Sequence, residues 1–213
     1  MNTPIRVLGQ LLENYPSLLP LEEKLKTAYH LMTQCYDRGG MVLCCGNGGS
    51  AADSEHIVGE LMKSFLLPRP LKGETARLFS STPKGRTLAK ALQEPLPAIS
   101  LVSQSGLLSA YANDVAPDMV YAQQVLGYGK DHFILLIAMS TSGNSINIIR
   151  AVQVATVLGM PSIAITGSSG GALAGEASLC LQLPAKETWQ IQELTLPVYH
   201  ALCAMVEHHY FNI

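Results

Sequence analysis

Apolar residues follow two alternating rhythms along this chain. Unbroken runs appear at MVLCC (41–45), LPAISLV (96–102), HFILLIAM (132–139), MPSIAIT (160–166) and LCLQL (179–183). Short apolar runs flanked by turn-forming residues predict strands buried on both faces. Between them the apolar positions recur at helical spacing. PLEEKLKTAYHLMTQCYDR (20–38) carries its acids early and a base at its end, and Gly39 and Gly40 supply a helix stop. SAADSEHIVGELM (50–62) and SINIIRAVQVATVLGM (145–160) also predict helices. Strands separated by helices pair in parallel through right-handed crossovers. The expected fold is therefore α/β, a three-layer αβα sandwich around a five-stranded parallel sheet.

Residues 72–95 interrupt the alternation with five basic residues and a helix-like piece after Pro83. They are expected to form an inserted excursion, either a surface helix or a lid. The rest of 1–213 reads as one domain, with a helical arm over about 1–38.

Composition narrows the classes. Only 14% of residues are charged against 48% hydrophobic, so part of the outer face is expected to lie in an oligomer interface. A net charge of −2 gives no electrostatic ground for nucleic-acid or membrane-surface binding. Five cysteines, mostly inside apolar runs, suit reduced core thiols rather than a disulfide frame. The start MNTPIRVLGQ has no signal-peptide pattern, and no apolar run is long enough to span a bilayer. A cytoplasmic location is expected.

In parallel sheets, ligands bind beyond the carboxyl ends of the strands. Three expected strands end in small polar loops: CCGNGGS, IAMSTSGNS and IAITGSSGG. STSGNS (140–145) offers four hydroxyls at the start of a helix, where backbone N–H groups and the dipole favour a phosphate. An ordinary N-cap would use the same residue types. GNGGS (46–50) lacks the final glycine of the dinucleotide fingerprint and the lysine of the P-loop. Two such loops point to a small phosphorylated ligand rather than a nucleotide.

On the helix that follows, His56 and Glu60 are four residues apart and share a face. That spacing suits one divalent ion, although an exposed i,i+4 pair would look the same.

Taken together, GNGGSAADSEHIVGEL, STSGNS, TGSSGGALAG and IQEL followed by a histidine resemble the sugar isomerase (SIS) domain family, and within it the phosphoheptose isomerases. The resemblance runs from about residue 20 to the end, apart from 72–95. It implies the SIS fold with a flavodoxin-like strand order, an aldose–ketose isomerase acting through a metal-assisted enediol, and a homotetramer with sites at subunit contacts. It implies His56, Glu60, Gln192 and His200 as metal ligands, with zinc as the ion, and Glu60 and His200 as the acid–base pair. It further implies that Asn47, Gly48, Gly49, Ser50, Ser140, Thr141, Ser142 and Ser145 hold the phosphate and adjoining hydroxyls. Asn113, Asp114 and Gln192 would also contact the sugar.

Eight residues of straight helix rise by roughly 12 Å and rotate about 80° from face-on. Pro197 lies between Gln192 and His200 and is expected to kink or break the helix; either that bend brings the two onto one ion, or the site is shared between subunits.

The chain departs from the family pattern at Ser64, where an arginine is expected, with Lys63 just before it, and at Trp189, where some members have an acid; Glu187 is the nearest acid upstream. These departures leave the sugar phosphate open and make Arg77 or Arg86 a candidate substitute cation. A related SIS group binds the bacterial replication initiator without isomerase chemistry and lacks the final histidine. A non-catalytic protein binding that initiator or a sugar phosphate is the competing reading, and His200 favours the enzyme.

Overall fold

The computed structural model describes residues 3–211. Helix α1 (Thr3–Asn14) leads through a 3-10 turn (Pro16–Leu21) into α2 (Glu22–Asp37), β1 (Met41–Gly46) and α3 (Gly49–Met62). Then come α4 (Gly73–Ser80), α5 (Pro83–Ala89), β2 (Ala98–Ser100), α6 (Ser105–Asp114), a 3-10 turn (Pro117–Met119) and α7 (Val120–Gly129). The chain continues with β3 (Ile134–Met139), α8 (Ile146–Val157), β4 (Ser162–Thr166), α9 (Leu173–Glu176), β5 (Leu179–Gln182) and α10 (Thr188–Phe211).

The five strands form one wholly parallel sheet in the order β2-β1-β3-β4-β5. Successive strand side chains point to opposite faces, and the core divides accordingly. Val42, Cys44, Leu135, Ile137, Ile163 and Ile165 join the core under α1, α2, α3 and α10. Leu43, Cys45, Ile134, Leu136 and Ala164 join the core under α7, α8 and α9. Both sheet faces are covered, which explains why these strands read as continuous apolar runs. All five cysteines are free and buried; burial pushes the Cys45 and Cys203 thiols up to about 12.

Three expectations shift. The run at 96–102 keeps strand geometry only over Ala98–Ser100, because it lies at the sheet edge and pairs on one side alone. Residues 20–38 begin inside the 3-10 turn, and the helix proper starts at Glu22. Pro197 does not break its helix: α10 runs on from Thr188 to Phe211. An interior proline costs about 3 kcal/mol. Val198, Leu202 and Val206 are buried in the same helix, and full burial of each such side chain contributes about 1.5–3 kcal/mol, which outweighs it.

The N-terminal helix packs against α10. Leu8, Leu11 and Leu12 of α1 are buried in the core that contains Val198 and Leu202 of α10. Residues 72–95 form α4 and α5, with no buried residue in α4. Among the described residues, no helix is long and apolar enough to cross a membrane.

Candidate functional site

Parallel strands place the loops after β1, β3 and β4 at one edge of the sheet. In the β1–α3 loop, Gly48 has φ +56°, a region that glycine enters without steric cost. A Cβ on Gly49 would collide with the side-chain amide of Gln192, so Gly49 lets α10 approach the start of α3. Ser50 is buried in the first turn of α3.

Asn47 faces Asn147 across the sheet edge. Each amide donates to the other's oxygen, at 2.9 and 3.0 Å. Asn147 was missed by sequence reasoning, since a single amide in an amphipathic helix carries no local signal. Tyr121, also unforeseen, donates to the Gly46 carbonyl at 3.0 Å beside Asn47.

In the β3–α8 loop the Ser140 and Ser145 hydroxyls are 3.0 Å apart, and Ser142 Oγ accepts from the Asn144 N–H at 3.2 Å. Ser145 is the N-cap of α8, and its hydroxyl makes no capping bond there. Thr141 and Ser142 line a cavity of about 480 Å³ together with Ser168, Ser169 and Lys186 from the next two strand ends. Lys186 is a cation that no motif announced. Asn113 and Asp114 stand in the last turn of α6, exposed, with the Asn113 amide donating to Asp114 at 2.8 Å. Among the described residues they make no hydrogen bond to the other candidate side chains.

Helices α3 and α10 run side by side in the same direction. Gln192 lies against Gly49, Tyr199 against Asp53 and His56, His200 against His56, and Glu207 against the segment after α3. His56 Nε2 is 3.2 Å from Glu60 Oε1 and 3.4 Å from His200 Nε2. Tyr199 Oη is 2.9 Å from His56 Nδ1 and 3.3 Å from Asp53 Oδ1. Lys63 donates to Glu60 Oε2 at 2.8 Å. Burial lowers the His200 pKa, His56 beside it lowers it further, and Glu60 opposes both. Burial raises the Asp53 pKa against the Tyr199 hydrogen bond.

Three of the four expected ligands therefore meet on an α10 that continues through Pro197, and Gln192 lies against Gly49 at the strand-tip loop. Among the described residues, no group of three or more His, Cys, Asp or Glu side chains is arranged to hold a metal ion. His56, Glu60 and His200 stand instead as contacts centred on one imidazole. The chemistry of these donors still fits a cation. Ligands about 2.0–2.1 Å from a tetrahedral ion lie about 3.3–3.4 Å from one another, close to the separations around His56.

The substitute cations expected at Arg77 and Arg86 are engaged elsewhere. Arg77 pairs with Glu74 at 2.6 Å and Arg86 donates to the Ser80 carbonyl at 2.8 Å. Lys63 is the cation found on Glu60.

Behind this group lies a buried ion pair that the sequence did not reveal. Arg69 and Glu207 have no side-chain exposure, and Arg69 Nε lies 2.7 Å from Glu207 Oε1. Arg69 also donates to the Leu61 and Glu60 carbonyls, at 2.6 and 3.1 Å. Glu207 accepts the N–H groups of Phe65, Leu66 and Leu67. The pair joins the end of α3, which carries Glu60, to α10, which carries His200.

The SIS domain matches residues 19–93 and again residues 122–205. A phosphoheptose isomerase of Shewanella sp. (strain ANA-3) is 36% identical over 190 residues, covering 88% of this chain and 84% of the relative. This chain belongs to the SIS domain family. Among solved structures, the phosphoheptose isomerase of Neisseria gonorrhoeae superposes with a TM-score of 0.70 at 31% identity, covering 96% of this chain and 93% of that one. That of Francisella tularensis gives 0.74 at 28% identity, covering 97% and 96%. The kinship of this SIS chain is with the family's enzymes, and it is an aldose–ketose isomerase.

Proposed function

We propose that this chain is a phosphoheptose isomerase-like enzyme that interconverts ketose and aldose forms of a phosphorylated sugar with the help of a divalent ion, zinc by preference. The observation that carries this reading is that Glu60 Oε1 and His200 Nε2 lie 3.2 and 3.4 Å from the same His56 Nε2, from two helices far apart in sequence. Relatives with phosphoheptose isomerase names supply the substrate class.

Aldose–ketose interconversion moves a proton between C1 and C2 through an enediol, and needs a base at carbon and an acid at oxygen. In the ketose-to-aldose direction, Glu60 takes the C1 proton and His200 supplies a proton to the C2 oxygen. The enediol then loses its O1 proton to His200, and Glu60 returns a proton to C2. His56, Glu60 and His200 would hold the ion, leaving a fourth position open, as catalytic zinc sites do. When bound, the ion polarises the carbonyl and stabilises charge developing on oxygen.

Asn47, Gly48, Gly49 and Ser50, with Ser140, Thr141, Ser142 and Ser145, bind the phosphate and hydroxyls, and Lys186 adds a cation to the same edge. Gln192 reaches the sugar from its place at Gly49. Asn113 and Asp114 are held as sugar contacts brought in at a subunit contact. Exposed Leu66, Leu196 and Trp189 support a homotetramer, and the reduced thiols support a cytoplasmic setting.

The test is a panel of ketose phosphates, including sedoheptulose 7-phosphate, assayed with protein whose metal content is measured. Turnover with about one ion per chain, both lost in His56→Ala and His200→Ala, is expected. Metal-free protein that turns over none of them but binds the replication initiator would refute the enzyme reading.

A further inference from the structure

Tyr199 is 2% exposed, and its hydroxyl touches two groups that compete for one proton. Ionised Asp53 can only accept, and a phenol has a single O–H. If that proton went to His56 Nδ1, the Asp53 carboxylate at 3.3 Å would face a phenolic lone pair. If Tyr199 donates to Asp53, the contact at 2.9 Å closes only when His56 Nδ1 carries a hydrogen and donates it to the phenol. Both contacts are then satisfied, in the order His56 to Tyr199 to Asp53.

A neutral imidazole protonated at Nδ1 has a bare Nε2. That nitrogen is the atom which faces Glu60 Oε1 and His200 Nε2. Lys63 on Glu60 Oε2 offsets part of that carboxylate's charge, so the bare nitrogen is tolerated beside it, and a divalent cation between the two would make the pairing strongly favourable. Histidine ligands are commonly held this way, through a hydrogen bond made by the ring nitrogen away from the metal.

We infer that Tyr199, backed by Asp53, is a positioning residue that fixes His56 as the Nδ1–H tautomer and presents its Nε2 to a divalent cation. The inference rests on the metal reading above and adds a residue chosen for its hydroxyl rather than its ring. Tyr199 precedes His200 directly, so adjacent residues of α10 address the two nitrogens of one imidazole.

The experiment uses the full-length, metal-free chain labelled with 15N at histidine, observed in long-range 1H–15N spectra above the histidine titration range. His56 is assigned by its loss in His56→Gln. The parent is expected to show His56 protonated at Nδ1. Tyr199→Phe removes one oxygen and should move His56 toward the Nε2–H form. It should also weaken Zn2+ binding, measured by competition with a chromophoric chelator, by about 10–100-fold. Asp53→Ala leaves the phenol in place, so its O–H should turn to Nδ1 and move the tautomer the same way. That second variant keeps the inference testable if Tyr199→Phe folds poorly.

A parent His56 protonated at Nε2 overturns the inference. So does a Tyr199→Phe protein with unchanged tautomer, whatever its zinc affinity. A parent with Nδ1–H that binds no zinc would instead defeat the metal reading and leave the Tyr199 assignment standing, so the two failures are distinguishable.

Discussion

Replacing Glu207 with leucine tests how the two halves of the site are held together. The substitution leaves the Arg69 guanidinium without its carboxylate in a place with no side-chain exposure. It also removes the acceptor for three backbone N–H groups at 2.6–3.1 Å. Breaking a buried pair from one side costs about 3–5 kcal/mol. The three amides add little to that, because Phe65, Leu66 and Leu67 are only partly buried or exposed and water can reach them. For a chain of this size the loss corresponds to a fall in Tm of about 6–20 °C.

The double variant Arg69→Met/Glu207→Leu separates charge from geometry. If the pair acted by Coulomb attraction alone, two apolar side chains would restore stability or improve it. Arg69 also satisfies the Glu60 and Leu61 carbonyls. The double variant should therefore remain below the parent by about 1–3 kcal/mol. It should also lose turnover with little change in KM, because Glu60 sits on the turn that Arg69 holds. Thermal melts followed by circular dichroism, with isomerase assays at a temperature where every variant is folded, give both numbers. A double variant as stable and as active as the parent would refute the reasoning.

Lys63→Met removes an exposed partner of Glu60, so stability should change by less than about 0.5 kcal/mol. Turnover should fall several-fold as the carboxylate loses the donor at 2.8 Å, and an unchanged rate would mark the pair as a solvated surface contact. Gly49→Ala drives a methyl group into the Gln192 amide, so KM for the phosphorylated sugar should rise at least tenfold with the fold intact. A KM within twofold of the parent would show that Gln192 can withdraw without consequence.

The strands could be read from sequence because a strand buried on both faces must be apolar at every position, as Ile134–Met139 is. The edge strand was read too long, since LPAISLV has the same composition whether or not it has a partner on both sides. Pro197 misled because a local rule about hydrogen bonds carries no information about how much apolar surface α10 buries.

The site divides in the same way. The strand-tip loops and the His56–Glu60 pair have short-range spacing, and they could be read from it. His200 came from the resemblance and was found beside His56, whereas Gln192 lies beside Gly49 instead. Asn147, Tyr199, Lys186 and the Arg69–Glu207 pair have no pattern around them. Each acquires meaning only from a partner distant in sequence.

The pairing of α1 with α10 has a consequence for how the chain is made. During synthesis, β1, β3 and β4 can assemble and α7 and α8 can cover one face of the sheet. The other face is covered by α2 and α3, but the apolar sides that these helices and α1 turn toward α10 stay open until α10 emerges. Nascent chains stalled before residue 188 would thus expose Leu8, Leu25, Ile57 and their neighbours together, a surface suited to chaperone capture and to aggregation. The helix that carries His200 also closes the core, so a chain cut before α10 is expected to lose solubility and activity together.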